Sequence, residues 1–183
     1  MRWDALFRDL EAQFAAADLL AMESQIAEQA RVELAAVTVL DRLRGQVGAV
    51  LRIRVSSGAL FAGSLCQVGS EWLVLETGPG AALIPAGALS AVEGMGRRAT
   101  VEPSAVTTRL GLGSVFRAFG RDRTLVTIQL ADSGARIDGT IDRVGKDFLE
   151  VAAVPLGEQR RPGNVAGMIL IPFTGVEAVL SRW

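Results

Sequence analysis

Arginine is the residue type whose clustering in this chain could carry chemistry. Arg97, Arg98, Arg109, Arg117, Arg121 and Arg123 fall within residues 97–123 against only two acids, Glu102 and Asp122. Arg160 and Arg161 form a second, smaller group. A guanidinium grips phosphate or carboxylate through paired N–H donors. These eight residues are therefore candidates for contact with a nucleic acid or an acidic partner. Aromatic rings on which bases could stack are few: Phe116, Phe119 and Trp72. The arginines have a second reading, as a solvated face attracted to the chain's own head. Residues 1–41 hold eight acids and three bases, although the net charge of all 183 residues is only -1.

Other chemistry is excluded by residue type. There is no His and no Tyr, and Cys66 is the one cysteine. Ser-His-Asp and Cys-His catalysis need a histidine, a structural zinc site needs about four Cys or His ligands, and a disulfide needs a pair of cysteines. Cys66 reads as a reduced, half-buried strand residue. GMGRRA, starting at Gly94, matches the spacing of a dinucleotide-binding turn, but that mechanism needs a βαβ unit, and strand-like repeats flank it. GLGS, from Gly111, lacks the lysine of a phosphate loop. On one strand Asp138 and Asp142 would share a face, with Asp147 close by, which suits a weak cation or a solvated surface, and the interleaved Arg136 and Arg143 favour exposed pairing. The expectation is a non-enzymatic protein with no catalytic residue, no cofactor and no metal.

The elements that would position these residues follow from periodicity. Residues 2–43 contain no Gly and no Pro and are rich in Ala, Leu, Glu, Gln and Arg, which favour helix. Trp3, Phe7, Leu10, Phe14, Ala17 and Ala21 recur at alternating four- and three-residue steps, a coiled-coil stripe. A second stripe, Met22, Ile26, Ala30, Leu34, Val37 and Leu40, is slightly out of phase with the first, which predicts a stutter or a break near Met22. One long helix or a helical pair both fit. Trp3, Phe7, Leu10 and Phe14 are the candidate self-association residues, because large apolar side chains on one stripe need a partner surface. A homo-oligomer, most simply a dimer, is expected.

The rest of the chain contains an internal repeat. LRIRV from Leu51 aligns with VTIQL from Val126. Residues 58–75 align with 134–151, with six identities: Gly58/Gly134, Ala59/Ala135, Gly63/Gly139, Val68/Val144, Gly69/Gly145 and Leu73/Leu149. Ile84-Pro85 matches Ile171-Pro172 after an insertion, PLGEQRRPGNVAG, in the second copy. Each copy alternates apolar residues between turn signals, as five short strands do. Gly63 and Gly139 lie inside the second strand, where a glycine permits a sharp bend. A second helix is expected within residues 104–121, with Val106, Leu110, Phe116 and Phe119 on its apolar side.

Helix, then five bent strands, with Ile53, Val55, Gly58, Phe61, Gly63 and Leu65 in one copy and Ile128, Leu130, Gly134, Ile137, Gly139 and Ile141 in the other, resembles the Sm-like (LSm) fold. DGTIDRVGKDFLEV and ILIPFTGVEAVL are also similar to the Sm-like C-terminal domain of bacterial ribosome maturation factors. The resemblance implies an α+β, mostly β fold: an N-terminal long helix or helical pair over 1–44, a five-stranded Sm-like/SH3-like small barrel over 45–96, a basic linker with a helix over 97–123, and a second barrel over 124–183. Where RNA-binding Sm proteins carry the Asp and Asn of the uridine pocket, this chain has Gly69 and Leu73, and Gly145 and Leu149, so the resemblance implies the fold without the pocket.

The functional expectation is a scaffold or adaptor that self-associates through its N-terminal helix and barrel edges. The alternative is an RNA- or ribosome-binding accessory protein using residues 97–123. Asp4, Asp9, Glu11 and Asp18 break up the first eighteen residues, unlike the basic start and apolar core of a signal peptide. With no apolar run of about 20 residues to cross a bilayer, a cytoplasmic protein without membrane contact is expected.

Overall fold

A computed structural model of the chain describes residues 2–78, 80–101, 110–154 and 167–182. It forms two compact units, Met1–Thr38 and Val39–Trp183. The first contains α1, Arg2–Ala36, one helix running through Met22 without a break. α1 ends where the β-branched pair Val37 and Thr38 leaves the helix, the Val37 N–H closing on the Leu34 carbonyl at 3.2 Å. The expected coiled coil is not formed. It requires a second helix with its apolar stripe against the first, and α1 is the only helix of its unit. The phase change between the two stripes also rotates the apolar positions around a straight helix, so they do not stay on one face.

The second unit opens with α2, Val39–Arg44, and then ten strands: β1 Val50–Val55, β2 Leu60–Val68, β3 Trp72–Thr77, β4 Gly80–Pro85, β5 Leu89–Glu93, β6 Leu125–Leu130, β7 Arg136–Val144, β8 Phe148–Ala153, β9 Gly167–Pro172 and β10 Val176–Arg182. A short 3-10 turn, Ala86–Ala88 or Phe173–Gly175, links the last two strands of each set. The internal repeat is real in three dimensions. Strand boundaries correspond set to set, and the same β-bulge interrupts both long strands, between Leu65 and Gln67 in β2 and between Ile141 and Arg143 in β7. Gly63 and Gly139 take equivalent places: a Cβ on either would overlap a carbonyl oxygen of the next strand, Glu76 for Gly63 and Ala152 for Gly139.

The two closed five-stranded barrels are not formed. All ten strands make one open antiparallel sheet in the order β5-β1-β2-β3-β4-β10-β6-β7-β8-β9. A barrel closes when the terminal strands of a set pair with each other. Here β4 pairs instead with β10, the terminal strand of the other set, with Val179 opposite Leu83 and Leu180 opposite Ala82. Edge strands present unpaired N–H and C=O groups, and this pairing satisfies those of β4 and β10 together, so β5 and β9 become the ends of the sheet.

Two apolar clusters fill the unit, and each borrows from the other set. The first, around Leu51, Ile53, Leu65, Leu73 and Ile84, includes Ala178 of β10. The second, around Val126, Ile128, Ile141, Leu149 and Phe116, includes Trp72 and Leu83 of the first set. Phe116 belongs to α3, Leu112–Asp122, and meets Phe173 edge to face with ring centres 5.2 Å apart. The expected second helix thus begins later than periodicity suggested. Leu110 lies before it, and its carbonyl accepts the Trp72 indole N–H at 2.8 Å and the Ser70 hydroxyl at 3.1 Å. Val106 lies outside the described residues.

Candidate functional site

The joint between the two sets is the most polar part of the interior. β10 carries four consecutive buried residues, Val176, Glu177, Ala178 and Val179. Strict alternation would turn every second one outward. The register shift between Val176 and Ala178 against β6 breaks that alternation and brings the Glu177 carboxylate inside. There Oε1 accepts the Ser57 backbone N–H at 2.6 Å and the Ser56 hydroxyl at 2.9 Å, while Oε2 accepts the Ser57 hydroxyl at 2.6 Å and the Gln129 amide at 2.9 Å. Ser56 and Ser57 form the β1–β2 turn of the first set; Gln129 and Glu177 belong to the second. One buried acid thus ties the two sets together.

Burial pushes the Glu177 carboxyl up. The hydrogen bonds from Ser57, side chain and backbone, and from Gln129 and Ser56 together pull it below its usual range, because each favours the charged form. Glu177 is therefore a fixed anion. Sequence reasoning missed it, since in VEAVL the glutamate reads as the outward member of an alternating strand.

Beside the joint lies a cleft of about 320 Å³, lined among others by Ser56, Pro85, Leu112, Ala131, Phe173 and Val176. Glu71 borders it and accepts the Leu112 backbone N–H at 2.7 Å, capping the first turn of α3 as a carboxylate at a helix N-terminus does. The walls are mainly apolar. Among the described residues no group of His, Cys, Asp or Glu is arranged to hold a metal ion. Asp138 is held by the Thr127 hydroxyl, and Arg143 faces Glu150 across the strands at 3.9 Å. Cys66, expected to be half-buried, is exposed and free on β2.

The two ends of the sheet differ from the joint in burial. β9 corresponds to β4, and β5 to β10. Leu83 of β4 is 3% exposed beneath β10, whereas its counterpart on β9, Leu170, is 58% exposed and Met168 is 54% exposed. Ala178 of β10 is fully buried; its counterpart Ala91 on β5 is exposed.

Five of the eight candidate arginines lie among the described residues. Arg97 and Arg98 are exposed in the segment after β5, where the Arg98 carbonyl accepts the Gln46 amide at 3.1 Å. Arg117 and Arg121 are exposed one turn apart on α3, and Arg123 caps it in a left-handed conformation, φ 49°. No carboxylate among the described residues lies within ion-pair distance of these three. Arg109, Arg160 and Arg161 lie outside the described residues. The rings that could have stacked on bases are engaged in the second cluster: Phe116 and Trp72 are buried and Phe119 packs against them. Of the self-association candidates, Phe7 and Phe14 are 59% and 70% exposed on α1, while the side chains of Trp3 and Leu10 are outside the description. No described helix is long and apolar enough to cross a membrane.

Compared with known proteins, the chain matches no family model and no curated protein sequence.

Proposed function

We propose that this protein is a non-enzymatic scaffold or adaptor that self-associates, using the open ends of its sheet and the exposed apolar residues of α1. The observation that supports this best is the contrast between β4 and β9. Leu83 and Leu170 are equivalent in the repeat; one is covered by a strand and the other lies bare. An open strand edge with exposed Met168 and Leu170 is a template for another strand, and each large apolar side chain left in water forgoes about 1.5–3 kcal/mol. Cytoplasmic residence belongs to the same reading. Light scattering at micromolar concentration tests it. The expected mass is a multiple of 19.3 kDa, and a monomer would overturn the reading.

A second reading, an RNA- or ribosome-binding accessory protein, is favoured by one observation: Arg117, Arg121 and Arg123 around α3 have no ion-pair partner among the described residues. Heparin retention that falls steeply with salt would support it.

A further inference from the structure

In the first set, the β2–β3 turn and the face of β3 and β4 beside it receive the start of α3. The Ser70 hydroxyl and the Trp72 indole N–H donate to the Leu110 carbonyl, and the Glu71 carboxylate accepts the Leu112 N–H at 2.7 Å. Trp72 and Leu83 share an apolar cluster with Leu112 and Phe116. The repeat builds the same seat in the second set. Lys146, Asp147 and Phe148 stand for Ser70, Glu71 and Trp72. The Gly145 N–H bonds the Phe148 carbonyl as the Gly69 N–H bonds that of Trp72, and the Asp147 carbonyl accepts the Phe173 N–H as that of Glu71 accepts the Ala86 N–H, each at 2.8 Å. Leu170 and Pro172 stand for Leu83 and Pro85, with Pro172 opposite Phe148 as Pro85 is opposite Trp72. This second seat is bare: Lys146, Asp147, Leu170 and Pro172 are exposed, and Phe148 belongs to neither apolar cluster.

We infer that the bare seat takes a basic amphipathic helix of a partner protein, its first turn on Asp147 and two apolar residues four apart on Phe148 and Leu170. This rests on the adaptor reading above and names the kind of client held.

The differences between the two seats select that occupant. Val74, beside Leu83, is replaced by Glu150, beside Leu170. Arg143 lies 3.9 Å from Glu150 but is 81% exposed, a loose contact. An acid within an apolar face favours a cationic side chain above it. Asp147 keeps the carboxylate that suits a helix N-terminus. Lys146 keeps a donor where Ser70 has one, for the carbonyl that precedes the helix. Phe148 lacks the indole N–H and supplies contact area alone. Lys146, Asp147, Phe148 and Glu150 lie one strand in from the edge, on β8 and the turn before it. A strand added to β9 would lie beyond them, whereas a helix placed as α3 is placed meets them, with anchors at helical spacing. The short helices of this chain are not the occupant, because Leu43 of α2 and Phe116 of α3 are fully buried in their own sets.

A fluorescent synthetic peptide of residues 110–123 is the probe. It carries Leu112 and Phe116 four apart, with Arg117, Arg121 and Arg123. A hydrocarbon bridge in place of Ser114 and Ala118 holds it helical, since so short a helix is marginal alone. Fluorescence anisotropy with the full chain should show saturable binding. Leu170→Lys and Glu150→Lys should each weaken it at least about tenfold, while Val50→Lys, at an exposed apolar position on β1, should leave it unchanged. Thermal unfolding checks that each variant folds as the parent does. A peptide with its three arginines replaced by glutamate should bind Glu150→Lys more tightly than it binds the parent. No saturable binding, equal binding by parent and Leu170→Lys, or an equal loss in Val50→Lys would overturn the inference. Unaltered binding by Glu150→Lys would overturn the basic character of the partner. Affinity that falls as the concentration of the chain is raised would put a second copy on the face and overturn the partner assigned. Light scattering reads self-association separately: a monomer that binds the peptide overturns the proposed self-association alone, and an oligomer that does not bind it overturns this inference alone.

Discussion

Glu177 offers the sharpest test of the joint. In Glu177→Ala, four donors lose their acceptor: the Ser57 N–H, the Ser56 and Ser57 hydroxyls and the Gln129 amide. The hydroxyls can turn toward water or a neighbouring carbonyl. The Ser57 N–H is fixed by the backbone and is left without a partner, while the buried Gln129 amide keeps only its long 3.5 Å contact to the Ser57 hydroxyl. An unsatisfied buried donor costs about 1–3 kcal/mol, which puts the variant at least about 1–3 kcal/mol below the parent. For a unit of this size that lowers Tm by about 2–4 °C per kcal/mol, so roughly 2–12 °C. Glu177→Gln keeps one acceptor oxygen and should lie between the two.

The same residue fixes the pH dependence. Its folded-state pKa is depressed, so its contribution to stability is full above the unfolded value, near ~4.3, and is lost as pH falls through the lower folded value. The parent should therefore lose stability below about pH 4.3 more steeply than Glu177→Gln, which carries no proton-binding group there. Calorimetry from pH 3 to pH 7 measures both effects. A Glu177→Ala variant melting within about 2 °C of the parent, or parallel pH profiles for parent and Glu177→Gln, would refute the account of the joint.

Two further expectations concern the repeat and the arginines. Gly63→Val and Gly139→Val should each lower Tm by several degrees, because the new Cβ meets the Glu76 or Ala152 carbonyl oxygen and the bent strand cannot move away; unchanged melting of both would count against equivalent bends. Arg117→Glu with Arg121→Glu should leave Tm within about 2 °C, as both side chains are exposed, while abolishing any salt-sensitive retention on heparin. Retention that survives this double reversal would place the polyanion contact elsewhere.

The linear pattern alone determined the repeat. Alternating apolar residues, turn signals and the paired glycines are local properties, so Ile53 and Ile128, or Gly63 and Gly139, could be matched before any contact was known. The start of β1 after Gly45 and the apolar Phe116 of α3 were legible for the same reason. Which strand neighbours which is a different kind of information. The backbone groups of β4 pair equally well with any antiparallel strand brought alongside, and nothing within GAALIP distinguishes β5 from β10 as its neighbour. Only the packing of both sets at once, with Trp72 and Leu83 lent to one cluster and Ala178 to the other, selects the single ten-stranded sheet over two closed barrels. Glu177 was illegible on the same grounds: its alternation points outward, and a register shift against β6 together with donors 48 and 120 residues away turns it inward. The arginines were visible as a cluster along the chain, but a cluster in sequence becomes a site only when the fold converges it. Here α3 keeps Arg117 and Arg121 on its solvent side because Leu112 and Phe116 must face the sheet.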